Sequence, residues 1–147
     1  MEPNFYDHEY LIIDEISYRL NKPQRGDIIV FRYIRNPKDF YIKRIIGLPG
    51  EKVELKDDGI HIYNENNPSG VILGEPYLPD SVKTIALNKD SFSLKNDEYF
   101  VLGDNRFSSK DSRSFGPVNK SFIIGKVLVR GWPFTRINYF EEQKYNF

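Results

Sequence analysis

A lysine set inside an apolar strand is the residue of this chain whose type and surroundings most readily do chemistry. Lys43 stands in Tyr41-Ile42-Lys43-Arg44-Ile45-Ile46-Gly47-Leu48-Pro49-Gly50, flanked by isoleucines on a stretch that reads as β-structure. An amine pressed against apolar surface loses the hydration that favours its ammonium form. Its pKa then falls, and it becomes available as a base. The second concentration of polar chemistry is Gly103 to Gly116, GDNRFSSKDSRSFG, where acids, bases and hydroxyls crowd between two apolar runs. Alone, each stretch has an ordinary explanation. A strand lysine usually reaches out to water, and Asp111 and Arg113, two apart, would form a surface ion pair of small effect.

The elements that must position these residues are short and β-rich. Glu9 to Ile16 reads as a first strand, and one helical turn fits somewhere in Asp14 to Leu20. Asn21 to Asp27, with Pro23 and Gly26, is a turn that delivers the strand Ile28 to Tyr33; its Arg25-Gly26-Asp27 needs no adhesion role. Asn36-Pro37-Lys38-Asp39 reads as the next turn and Phe40 to Ile46 as the strand that carries Lys43, ended by the bend Gly47 to Gly50. Val53-Glu54-Leu55 and Ile60 to Tyr63 alternate as a hairpin around Asp57-Asp58-Gly59. After the polar stretch Asn64 to Gly70, Glu75 to Asp80 holds two prolines and reads as an extended loop. Glu98 to Leu102 is a strand that feeds Gly103, and Ser121 to Arg130 is a long strand whose Gly125 predicts a bulge. The tail Glu141 to Phe147 mixes charge with aromatics and is expected to be loose.

Composition narrows the classes. A chain of 147 residues supports one main core with at most a small appended lobe. The 21 Lys and Arg are balanced by 21 Asp and Glu, which removes the basic footprint of a nucleic-acid binder, so no nucleic-acid partner is expected. Aromatics at 15% favour strands over helices. Without cysteine there is no disulfide, thiolate zinc site or cysteine nucleophile. His8 and His61 have no companion ligands at metal-binding spacing, so no metal is expected. No apolar run approaches the roughly 18 to 20 residues of a bilayer span. No targeting segment is expected within these residues.

Four stretches together resemble the type I signal peptidases, membrane-anchored serine proteases that use a serine and a lysine to remove signal peptides. Met1-Glu2-Pro3 is similar to the residues just after the nucleophile in the family's serine box, and Arg25 to Phe31 to its second box. Lys43 to Gly50 is similar to its lysine box, and Gly103 to Gly116 to its last. The order is the family's, and the two longer stretches are specific. The resemblance implies Lys43 as general base and Ser109 as the hydroxyl that hydrogen-bonds and orients it. It implies an ion pair of Asp111 with Arg113 and supporting roles for Arg44, Gly103, Asp104, Asn105 and Arg106. Tyr41 and Ile42 would pair with an extended substrate, and Met1 and Phe5 would wall pockets for small side chains.

The same resemblance implies a mostly β fold. Coiled antiparallel sheets would form a catalytic domain from 1–54 and 97–138, with 55–96 as a small β-rich inserted cap and 139–147 as a tail. It implies no cofactor, the signal peptides of exported pre-proteins and the membrane surface as partners, and a place on the extracytoplasmic face of the cell membrane. Part of the aromatic excess could be the apolar surface that rests on the bilayer. One departure matters. In the family the nucleophilic serine immediately precedes the methionine aligned with Met1, and a second serine two positions earlier helps hold the oxyanion in many members. The chain as given is therefore expected to be inactive. Asn4 and Phe5 also replace the commoner Thr and Leu. A non-catalytic peptide-binding relative and a serine-lysine self-cleaving regulator are the alternatives, the latter disfavoured by the long last box.

Overall fold

Strand formation follows the two-residue alternation of the sequence, because each run can bury one row of side chains on either face. A computed structural model describes residues 1–2, 4–6, 8–140, 143 and 145. Its elements in chain order are β1 (Tyr10–Asp14), α1 (Ser17–Leu20), β2 (Ile28–Tyr33), β3 (Asn36–Gly47), β4 (Lys52–Lys56), β5 (Gly59–Tyr63) and β6 (Val71–Ile72). They continue with β7 (Ser91–Ser93), β8 (Glu98–Leu102), α2 (Ser112–Phe115), β9 (Val118–Asn119), β10 (Ile123–Trp132) and β11 (Asn138–Tyr139). The larger sheet runs β1-β10-β2-β3-β8-β9, with β11 also on β10, and the smaller runs β6-β5-β4-β7. Every pairing is antiparallel. The fold is the mostly β architecture of antiparallel sheets that the resemblance implies, and the sheets are not closed.

Alternation along β2 and β3 sorts their side chains between two cores. Ile29, Phe31, Tyr41 and Ile45 pack with Tyr99, Val101 and Val118 on one face. Ile28, Val30 and Ile42 pack with Met1, Phe5 and Val127 on the other. A third cluster joins Ile46, Phe100 and Leu102 to Val53, Ile60 and Ile62 of the smaller sheet, so the two sheets share buried surface. Gly47 marks the crossing. A Cβ there would stand 2.8 Å from Leu94 Cδ1 and 3.0 Å from Phe100 Cβ, a gap that only glycine fits.

Three boundaries differ from the sequence reading. Asn36 to Asp39 is not a turn but the start of β3, and the turn is Ile34-Arg35. Tyr33 pairs with Asn36 and Arg32 with Phe40, so Pro37-Lys38-Asp39 bulge out, a place where a missing proline N–H breaks no ladder bond. The first strand ends at Asp14, because its Oδ1 accepts from the N–H groups of Ile16 (2.8 Å) and Ser17 (2.9 Å) and turns the chain into α1. The strand expected from Ser121 begins at Ile123. Asn119 Oδ1 accepts from the Ser121 N–H at 2.9 Å and closes a single 3-10 turn over Lys120–Phe122. The bulge at Gly125 is present: Ile123 and Gly125 face consecutive residues of β2, Phe31 and Val30. Asp57 and Asp58, both at positive φ, close the β4–β5 hairpin where expected. Pro3 of the serine-box resemblance and most of the stretch 141–147 expected to be loose fall outside the described residues; Phe140, just before that stretch, stacks on Phe5 at 4.7 Å.

Candidate active site

Lys43 sits at a change in the pairing of β3. Along Asn36–Arg44, β3 pairs with β2; β8 joins its other edge only from Arg44, which faces Leu102. Among the described residues no strand covers that second edge at 36–43. Lys43 lies in the same row as Tyr41 and Ile45, and its amine lies 5.5 Å from the Tyr41 ring centroid. Burial pushes the amine's pKa below the ordinary lysine value, against the opposite pull of Asp111 and, more weakly, Asp104. The amine donates to the Ile42 carbonyl at 2.9 Å.

Ser109 reaches the same place from the loop after β8. Its Oγ is buried without a hydrogen-bond partner among the described residues, so the serine-lysine hydrogen bond implied by the resemblance is not formed in this arrangement. The two side chains nevertheless converge on Gly103. A Cβ at Gly103 would stand 2.6 Å from Ser109 Cβ and 3.7 Å from Lys43 Cδ, so the absence of that atom makes room for the serine beside the lysine stem.

The loop is held by two buried ion pairs. Asp111 accepts from Arg113 Nε at 2.9 Å and Nη2 at 2.8 Å, from the Arg113 N–H and from the Gly103 N–H at 3.2 Å, which closes the loop on its own first residue. The same carboxylate caps α2. Asp104 receives Arg44 through Nε at 3.0 Å and Nη2 at 2.8 Å, a bidentate pair. Arg44 also donates to the Gly26 carbonyl at 3.0 Å. Arg106 donates to the Gly103 carbonyl at 3.1 Å and pairs with Glu75 and Thr84. Asn105 shapes the loop internally, its Oδ1 accepting from the Ser108 N–H at 3.1 Å.

The amino-terminal segment is tied to this framework. The Met1 sulfur accepts from the Asp104 N–H at 3.4 Å, and the Asn4 amide donates to Asp104 Oδ2 at 2.7 Å and to the Tyr77 carbonyl at 3.3 Å. Met1 and Phe5 gather with Ile42 on one face, while Tyr41 and Lys43 lie on the other. The site also uses Glu75, Tyr77 and Thr84, which the sequence reading passed over: the Arg44 guanidinium lies 3.8 Å from the Tyr77 ring centroid. The available signal was an acid and a tyrosine set around Pro76 in the two-proline loop.

This arrangement offers a base of lowered pKa beside an open strand edge, the means to activate a hydroxyl nucleophile against an extended peptide. A serine-lysine peptidase uses a base of this kind. The chain belongs to the signal peptidase, peptidase S26 family, whose model matches residues 1–132. It is 36% identical to signal peptidase IB of Staphylococcus aureus over 162 aligned positions, covering 100% of this chain and 78% of that one. It is 37% identical to a probable signal peptidase I-2 of Synechocystis sp. over 142 positions, covering 93% of this chain and 61% of that one. Among solved structures, a signal peptidase I from Enterococcus faecalis matches with a TM-score of 0.57 and 39% identity, covering 72% of this chain and 97% of that one. The chain is accordingly a member of a serine endopeptidase family.

Proposed function

We propose that this chain is the catalytic region of a signal peptidase I that removes signal peptides from exported pre-proteins. An extended peptide lies along the open edge of β3, and one bond after a small residue is hydrolysed. Lys43, neutral, takes the proton from a serine hydroxyl, Ser109 orients the amine, and the Asp111–Arg113 and Arg44–Asp104 pairs hold the loop that carries Ser109. The nucleophile in this reading is the serine that in the family immediately precedes the methionine aligned with Met1. The observation that carries the reading is the position of Lys43: half-buried, with its pKa pushed down by that burial, and placed at the end of the stretch of β3 that is paired on one side only.

In this reading the reaction takes place at the outer face of a membrane. Among the described residues no helix is long and apolar enough to cross one. Tyr10 and Ile12 on β1, Ile16 and Leu20 beyond it, Trp132 at the end of β10 and Phe134 just after it are all exposed large apolar side chains, suited to resting on a bilayer.

The test is to add a serine before Met1 and follow cleavage of a synthetic peptide with an Ala-x-Ala site. The extended chain is expected to cut after the second alanine and to lose that activity with Lys43→Ala. The 147-residue chain alone is expected to be inactive; Lys43-dependent cleavage by it would overturn the alignment of its start. Cleavage that survives Lys43→Ala would remove Lys43 as the base.

A further inference from the structure

A single aromatic stack connects the lysine assigned as base to a second lysine that the reaction does not use. The Lys43 amine lies 5.5 Å from the Tyr41 ring centroid. Tyr41 stacks on Tyr33 at 4.6 Å with the planes 9° apart, and Phe115 meets Tyr33 at 5.5 Å. On Tyr33 rests Lys110, the exposed residue two positions after Ser108, its amine 4.5 Å from the ring centroid. An aromatic face fixes an ammonium group in place without neutralising it. The loop carboxylates and Glu75 are committed elsewhere: Asp104 to Arg44, Glu75 to Arg106 and Asp111 to Arg113. Lys110 therefore presents a fixed positive charge at the rim of the site.

Strand geometry decides what would meet that charge. A peptide added to the open edge of β3 alternates its side chains between the two faces of the sheet, as β3 itself does. One face is apolar and holds Ile42, Val30, Met1 and Phe5, which suits the small residues. A residue lying between two small ones points to the other face, that of Tyr41 and Lys110. The second edge of β3 is open at 36–43, and on the proposed path the part of the peptide before the cut runs past Tyr41.

We infer that Lys110 is a specificity-determining residue that receives a carboxylate side chain at the second position before the cleaved bond. The inference rests on the proposed peptide path along β3. It gives this chain a substrate preference for Glu or Asp between the two small residues, where a site without such a cation would be indifferent. The Tyr33 hydroxyl raises the pKa of the Lys110 amine beside it, so the ammonium form is kept.

Equilibrium binding of the 147-residue chain to three synthetic peptides tests this without any need for turnover. The peptides differ only in carrying Glu, Gln or Lys between two alanines. At low ionic strength the Glu peptide is expected to bind about two- to fivefold tighter than the Gln peptide, the range of an exposed ion pair. The Lys peptide is expected to bind weakest. Lys110→Met should erase the order and Lys110→Glu should reverse it, with the Gln peptide bound equally by all three proteins. Equal binding of the three peptides, or an order that persists in Lys110→Met, would overturn the role of Lys110 while leaving the peptide path intact. Failure of every peptide to bind would instead remove the path along β3, and the inference with it.

Discussion

The Ser109 side chain occupies the space that a Cβ on Gly103 would need, its own Cβ 2.6 Å from that point. This contact sets how closely Ser109 approaches Lys43, because the backbone before Gly103 is fixed by the pairing of Leu102 with Arg44. Gly103→Ala must therefore displace the serine rather than the strand. In the serine-extended chain the substitution is expected to lower kcat on the order of 10²-fold, the effect of a displacement of about 1 Å, with little change in KM. Steady-state kinetics separate the two. A rise in KM at constant kcat would show that Gly103 serves peptide binding instead.

Asp111 compensates the buried Arg113 guanidinium and also holds the Gly103 N–H. Asp111→Asn keeps the shape but leaves that cation unpaired, and is expected to cost about 3–5 kcal/mol in urea unfolding. Replacing both partners, as Asp111→Leu with Arg113→Met, should recover part of the loss. Because Asp111 favours the ammonium form of Lys43, Asp111→Asn should also lower the pKa of that amine further.

Lys43 ties stability to pH with the reverse sign of a salt-bridged lysine. Its folded pKa is lowered by burial, while in the unfolded chain it returns to about 10.4. Between those two values the unfolded chain binds the proton and the folded one does not, so stability rises with pH across that window. Below it the cost of burying the ammonium is fully present. Lys43→Met removes the cost and is expected to melt at higher temperature than the parent at neutral pH. The gap should narrow as pH rises toward 10. Thermal unfolding of both proteins over pH 6 to 10 reads this directly; a constant gap would mean that the amine titrates as a free lysine. Activity of the serine-extended chain should rise with pH through the same lowered pKa, since the neutral amine is the working form.

The sequence displayed the local part of this site and concealed the assembled part. Lys43 among isoleucines and Asp111 two residues before Arg113 are short-range patterns, and alternation along β2 and β3 announced their strands. The partners of Arg106 and Arg44 were not legible, because Glu75 and Asp104 lie 31 and 60 residues away along the chain. Only the fold brings them together. Pro37 misled in the opposite direction. Its local preference suggested a turn, but a bulge accommodates it equally well, and the Tyr33–Asn36 pair moved the turn two residues back.

That bulge has a consequence for how the protein behaves in company. A strand edge able to accept a peptide is also able to accept the matching strand of another copy, the usual beginning of self-association. Pro37, Lys38 and Asp39 interrupt the edge at its outer end with a bend, a missing donor and two charges. From the other end, β8 closes it at Arg44. The regular part of the uncovered edge is Phe40–Lys43, shorter than the roughly six residues from which a fibrillar stack is built. The edge is long enough to grip a passing peptide and too short to template a fibre.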